Sequence, residues 1–360
     1  MKAAVCYEFG QPLVIEDITL DSPQRGEVRV KLAACAICHS DIHYAEGAWG
    51  GQLPAIYGHE AAGVVTELGA DVEDVHVGDH VIVSLIRSCG ACYHCEQGET
   101  VLCEGAFDID KSGRARNADG KPVLQALKTG AFAEEVVVDQ SQVVVIPKEM
   151  PLDSASLLAC GVITGLGAVM NTAKVPAGSS VVVIGTGGVG LNSLQGAALS
   201  GANPIIAVDL NDAKLEAAKT FGASHTLNAA ERNPKGAIRK LTEGRGADYV
   251  FVTVGSTKAM QQGHSFLRRG GTLVIVGMPA VGERLSFDVL SFADAAQTML
   301  GSKMGSIQPK LDLPKLVTLY QESKLKLDEL ITKRYPLEEI NEAIAAVNRG
   351  EALRNVIVFG

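Results

Sequence analysis

The 360-residue chain lacks any uninterrupted apolar stretch of the roughly 18 residues that a membrane helix needs. Its opening segment, MKAAVCYEFGQPLVIEDITL, contains acids and no long apolar core, so no secretory signal is read there and the cytoplasm is the expected address. A surplus of positive charge is missing too. With 32 Lys and Arg against 41 Asp and Glu, the net charge of -9 opposes binding to phosphodiester backbones, so nucleic acid is not an expected partner, and neither is a membrane. No low-complexity tract, internal repeat or long Gly/Ser- or Pro-rich linker interrupts the chain. What remains is 47% hydrophobic and 20% charged, the balance of a folded enzyme-like protein with length enough for two domains.

Eight cysteines in a reducing compartment are metal ligands or buried thiols rather than a disulfide framework, and their spacing decides between these. Cys89-x2-Cys92-x2-Cys95-x7-Cys103 puts four thiolates in one short loop, enough to wrap a tetrahedral zinc at Zn–S distances of ~2.3 Å. An iron–sulfur cluster is the rival, but its usual runs have other gaps and are commonly followed by proline. Four sulfur ligands leave no open position, so such a zinc is structural. A catalytic zinc needs three protein ligands and an exchangeable fourth. Candidates are Cys38-His39-Ser40-Asp41 with His43, after a strand, and His59-Glu60, after the turn LPAIYG. On spacing alone Cys38 reads equally well as a small buried hydrophobe and His59 as a turn residue. Cys160, in LLACGVITG, reads as core.

The first 150 residues hold short Val-rich runs, EVRVKLAA, GVVTELG, GDHVIVSL and AEEVVVDQSQVVVIP, separated by Gly, Asp and Pro, which predict a mainly β domain. From about residue 178 strands and helices alternate: SSVVVIG, GVGLNSLQGAALSG, PIIAVDL, NDAKLEAAKTFG, ADYVFVTVG, a helix around MQQGHSFLRRG, and GTLVIVG. That texture predicts an α/β, doubly wound parallel sheet of the Rossmann type. TMLGSKMG offers a sixth strand, and amphipathic stretches follow over 313–324 and 337–348. The terminal run NVIVFG has no partner in a completed six-strand sheet. It is expected to return to the first domain, giving a catalytic domain of residues 1–154 and 299–360 and a nucleotide domain of 155–298.

Gly185-x-Gly187-Gly188-Val189-Gly190 directly follows SSVVVIG and opens a helix, the context that a dinucleotide pyrophosphate requires. Asp209 ends the next strand, where its carboxylate accepts from both ribose hydroxyls and repels a 2′-phosphate. NAD is therefore expected over NADP, although Asp209 also reads as a helix N-cap ahead of NDAK.

Together CHSDIH, GHEAAGVV, GDHVIV, CGACYHCEQGETVLC, LLACGVITGLGAV, VIGTGGVGL, AVDLNDAK and LRNVIVF match, in order and separation, the zinc-dependent medium-chain alcohol dehydrogenases. The chain resembles that family over essentially its whole length. The resemblance implies a GroES-like catalytic domain carrying both zincs, beside the Rossmann domain. It makes Cys38, His59 and Cys160 ligands of a catalytic zinc, with Glu60 behind the metal and Asp41 as partner of the histidine. It gives Ser40 the substrate proton, which passes through the cofactor ribose to His43. It assigns Asp209 and Lys214 to the adenosine ribose, Val189 to the nicotinamide face and Arg354 to the pyrophosphate, and puts Thr164, Val276, Ser302 and Met304 in the nicotinamide pocket.

Three features narrow the expectation. His39 stands where many members carry an arginine facing the pyrophosphate, and a histidine is only partly charged at neutral pH. Trp49 replaces the acid that glutathione-dependent formaldehyde dehydrogenases use nearby; with Leu85 it would form an apolar wall for an uncharged alcohol or aldehyde. Residues 105–130 are long, as in the dimeric branch, so a homodimer is favoured over a homotetramer. The expected activity is reversible oxidation of a primary or simple secondary alcohol with NAD. The alternatives are S-(hydroxymethyl)glutathione or polyol oxidation on the same scaffold and, from another class, a non-catalytic zinc-binding interaction module.

Overall fold

In the computed structural model, which describes residues 1–360 with Ser112 by its backbone alone, the Val-rich runs all enter one seven-stranded β-sheet, and a second sheet is built from six other short strands. The seven-stranded sheet is organised on Glu27–Ala36, which pairs antiparallel with Glu60–Leu68, Glu135–Asp139 and the terminal strand Arg354–Val358. Alternate side chains on these strands, among them Val28, Val30, Leu32, Val65, Val136 and Val138, form a buried core. The register has a functional consequence. Ala36 stands opposite Glu60 on one side and Val356 on the other. The chain just beyond Ala36, just before Glu60 and at Arg354 therefore meets at one end of the sheet.

Residues 1–160 with 308–360 make one compact unit, and residues 161–307 make another. The second carries a fully parallel six-stranded sheet in the order His225–Asn228, Ile205–Asp209, Val181–Ile184, Ala247–Val252, Leu267–Ile275, Thr298–Gly301. Val181–Ile184 is buried throughout, as a central strand covered on both faces must be. The order reverses beside it, so the crevice at the carboxyl ends of Val181–Ile184 and Ala247–Val252 is where such a sheet takes a ligand.

Both divisions fall later than the expected 154/155 and 298/299. Thr298–Gly301 hydrogen-bonds to Leu267–Ile275, and the turn Met304–Ser306 packs on helix Gly161–Gly167, which keeps these residues with the parallel sheet. Helix Leu152–Leu157 instead packs on Glu27–Ala36, and the nearby Ala159 carbonyl accepts from Ser84 Oγ at 2.8 Å. Among the described residues no helix is long and apolar enough to cross a membrane.

Candidate active site and metal centres

Cys38 is the N-cap of helix His39–Ala45, His59 and Glu60 open the strand Glu60–Leu68, and Cys160 follows helix Leu152–Leu157. One ligand atom from each of Cys38, His59, Glu60 and Cys160 lies within 4.8 Å of the others, and all four residues are buried. Asp41 organises the group. Its Oδ1 accepts from Nδ1 of His59 at 2.8 Å and from the Gly58 amide at 2.9 Å, while Oδ2 accepts from the Cys38 amide at 3.1 Å. With the Nδ1 proton committed to Asp41, Nε2 is the ring's remaining ligand atom, and it is buried without a hydrogen-bond partner.

The four groups and their neighbours perturb one another strongly. A hydrogen bond from Cys160 and the neighbouring His59 hold the Cys38 thiol well below its usual range despite burial. Cys160, the donor in that bond and itself buried, is pushed well up. Burial alone would depress His59, but the charge and hydrogen bond of Asp41 outweigh it and raise the imidazole well above its ordinary value. Burial pushes the Glu60 carboxyl up to about 7 against the pull of Arg354, whose guanidinium forms an ion pair with it at 2.6 Å. Two sulfurs, an imidazole nitrogen lacking a donor and a carboxylate, all out of water, suit a thiophilic divalent cation. Because Arg354 engages Glu60, Cys38, His59 and Cys160 fit zinc as three ligands with a fourth position open.

The loop Cys89, Cys92, Cys95, Cys103 brings its four sulfurs within 4.8 Å of one another, with Cys92 and Cys103 3.9 Å apart, close to the ~3.8 Å edge of a ZnS4 tetrahedron. Backbone amides of Cys89 and Gly105 donate to the Cys103 sulfur at 3.2 and 3.3 Å. The Cys92 thiol is lowered to about 6, chiefly by backbone amides of its own loop, whereas burial raises Cys95 to about 12. Four sulfurs converging at this spacing, with backbone amides donating to one of them, fit the closed, structural type of zinc site.

In the parallel-sheet unit, Val181–Ile184 runs into Gly185, and Gly187 caps helix Gly188–Leu199. A Cβ on Gly190 would lie 1.8 Å from the Gly185 carbonyl oxygen, so only glycine lets the helix start this tightly. A Cβ on Gly187 would meet nothing within 4 Å: that side of the turn is open, at a helix N-terminus, as pyrophosphate binding requires. Asp209 closes the turn from the next strand, accepting from the Thr186 amide and hydroxyl at 2.6 and 2.9 Å. Asn211, not Asp209, caps helix Asp212–Thr220, accepting from the amides of Ala213 and Lys214. Val276 and Ser302 continue the carboxyl ends of neighbouring strands, and the Thr164 hydroxyl lies 3.8 Å from the Met304 sulfur.

Ser40 and His43 are half-buried on the helix capped by Cys38, and His39 beside them is exposed. Trp49 packs 5.1 Å from His43 and edge-on to Tyr44 at 5.2 Å, while Leu85 is half-buried just past the strand His80–Ser84. Arg354, assigned by resemblance to the pyrophosphate, has its guanidinium buried against Glu60.

Two buried arginines carried no sequence signal. Arg87 donates to Gln142 at 2.8 Å and to Asp110 at 2.6 Å; Arg114 forks onto Glu27 at 2.6 and 2.8 Å. Both clamp residues 105–130 to the β-body.

Residues 24–148 match the alcohol dehydrogenase GroES-like domain, and 188–322 match the zinc-binding dehydrogenase domain. The chain is 36% identical to alcohol dehydrogenase class-P of Arabidopsis thaliana, covering 100% of this chain and 97% of that protein. It is 37% identical to S-(hydroxymethyl)glutathione dehydrogenase of Saccharomyces cerevisiae, covering 99% and 95%. The crystal structure of benzyl alcohol dehydrogenase from Acinetobacter calcoaceticus matches with a TM-score of 0.93 at 33% identity, covering 100% and 99%. The chain belongs to the zinc-dependent medium-chain alcohol dehydrogenases, and the resemblance read from its motifs holds over its full length.

Proposed function

We propose that this zinc-dependent dehydrogenase oxidises a primary or simple secondary alcohol to its aldehyde or ketone, reversibly, with NAD as hydride acceptor. The observation that carries the reading is the buried Cys38, His59, Cys160 group with Nε2 of His59 lacking any other partner. When bound there, zinc polarises the alcohol oxygen and eases its deprotonation, while the nicotinamide accepts hydride. The rest is done by the chain. Asp41 holds His59 in one tautomer, and Arg354 keeps Glu60 occupied behind the ligands. Ser40 takes the substrate proton and His43, three residues along the same helix face, carries it outward. Asp209, at the end of its strand, disfavours a 2′-phosphate.

Trp49 with Tyr44 and Leu85 supports an uncharged, apolar substrate over a glutathione adduct. The terminal edge of the sheet at Thr298–Gly301 and the exposed Val281, Val289 and Leu290 support a homodimer, and the cytoplasm remains the proposed address. A panel of aliphatic and aromatic alcohols, polyols and formaldehyde with glutathione, each tried with NAD and NADP, tests the reading. Reduction of NAD by simple alcohols is expected. Turnover only with the glutathione adduct or a polyol would replace the substrate assignment, and one zinc with no turnover would leave the interaction module.

A further inference from the structure

At the carboxyl end of the parallel sheet three successive residues, Met304, Gly305 and Ser306, have φ of 49°, 64° and 50°. Non-glycine residues avoid this left-handed region, and a run of three needs outside support. The middle of the turn is held sterically: a Cβ on Gly305 would lie 2.2 Å from the Ile163 carbonyl oxygen and 2.7 Å from Gly167 Cα, both on helix Gly161–Gly167. Its two ends are held by one side chain. Thr172 is the last residue of a π-helical turn, Ala168–Thr172, that extends that helix. Its hydroxyl hydrogen-bonds to Ser302 at 3.0 Å and to Ser306 at 2.8 Å. One hydroxyl therefore ties the residue two before Met304 to the last residue of the turn. Ser302 is anchored on its other side by its amide, which donates to the Ile275 carbonyl at 2.9 Å.

The geometry points to Thr172 as a positioning residue for the nicotinamide end of the cofactor: its hydroxyl latches the left-handed turn and preorganises the 302–304 backbone beneath the ring and carboxamide. This rests on the NAD reading of that pocket. Ser306 has no glycine-like freedom at φ 50°, so without the latch the turn relaxes and the backbone must be reordered at each binding event. The latch bonds do not involve the Gly-rich turn's amides or Asp209, which serve the pyrophosphate and the adenosine ribose, both present in ADP-ribose. The effect is therefore confined to one end of the dinucleotide.

The test compares binding of NADH, by fluorescence, with binding of ADP-ribose, which lacks the nicotinamide, by calorimetry, in the zinc-loaded protein. Thr172→Val, which removes the hydroxyl at nearly constant shape, is expected to weaken NADH by about fivefold or more while leaving ADP-ribose unchanged, and Thr172→Ser to restore NADH. Unchanged NADH binding, or equal weakening of both ligands, overturns the latch. Should Thr172→Val not fold, Ser306→Ala removes one latch bond while keeping the Cβ that disfavours φ 50°, and is expected to shift NADH alone; no shift overturns the latch. A wild-type protein that binds NADH no more tightly than ADP-ribose overturns the nicotinamide reading itself, before any variant is compared.

Discussion

Asp41 and His59 lie buried together with the carboxylate 2.8 Å from Nδ1, and the same carboxylate also takes the amides of Gly58 and Cys38. One side chain thus sets the tautomer of one proposed zinc ligand and the backbone of another. Asp41→Asn keeps the shape but no longer demands the Nδ1 proton. It is expected to lower metal affinity at this centre by about 10–100-fold, read as zinc lost on dialysis against a mild chelator, while the zinc of the cysteine loop stays.

Arg354 and Glu60 make the second prediction. Removing one member of a buried ion pair strands the other, at a cost of about 3–5 kcal/mol. Arg354→Ala is expected to lower the thermal midpoint steeply, and the double variant Arg354→Leu/Glu60→Gln to recover much of the loss. An unshifted midpoint in Arg354→Ala would mean that the pair is open in solution.

Gly187 and Gly190 separate folding from binding. Gly190→Ala forces a Cβ against the Gly185 carbonyl and should destabilise the turn and abolish NADH binding together. Gly187→Ala meets open space, so its midpoint should match wild type while NADH binding falls sharply, because the methyl group occupies the space open to the pyrophosphate.

Asp248 gives the pH dependence. Burial would raise its carboxyl, but the Ser180 amide and hydroxyl, at 2.8 and 2.6 Å, and Arg268 outweigh it and hold the folded value below 3.8. A depressed folded value means that this stabilisation is present above the unfolded value and lost as pH falls through the folded one. The gap in midpoint between wild type and Asp248→Asn should be constant near neutrality and narrow below pH ~4. A gap that widens on acidification would contradict the assignment.

The features legible in the sequence were those whose partners are close along the chain. The cysteine loop is one short segment, and the Gly185–Gly190 turn is flanked by its own strand and helix. Cys160 had no such context: only the sheet register, which sets Ala36 opposite Glu60, and the short helix that delivers Cys160 bring the three proposed zinc ligands together. The motif resemblance supplied that assignment where spacing read core. The Glu60–Arg354 and Glu27–Arg114 pairs join residues far apart in sequence, and a lone charge in a Val-rich strand reads as solvent-facing. The edge strand His225–Asn228 buries only Leu227, too little for an apolar pattern. Thr186, an unassigned position between Gly185 and Gly187, is the residue through which Asp209 holds the turn.

The proposed function divides the labour between two zincs, one bracing a loop and one open to substrate. Measuring zinc per chain together with alcohol-dependent NADH formation in Cys160→Ala tests it most directly. One zinc retained and no turnover are expected; two zincs retained, or turnover with Cys160 gone, would overturn the assignment.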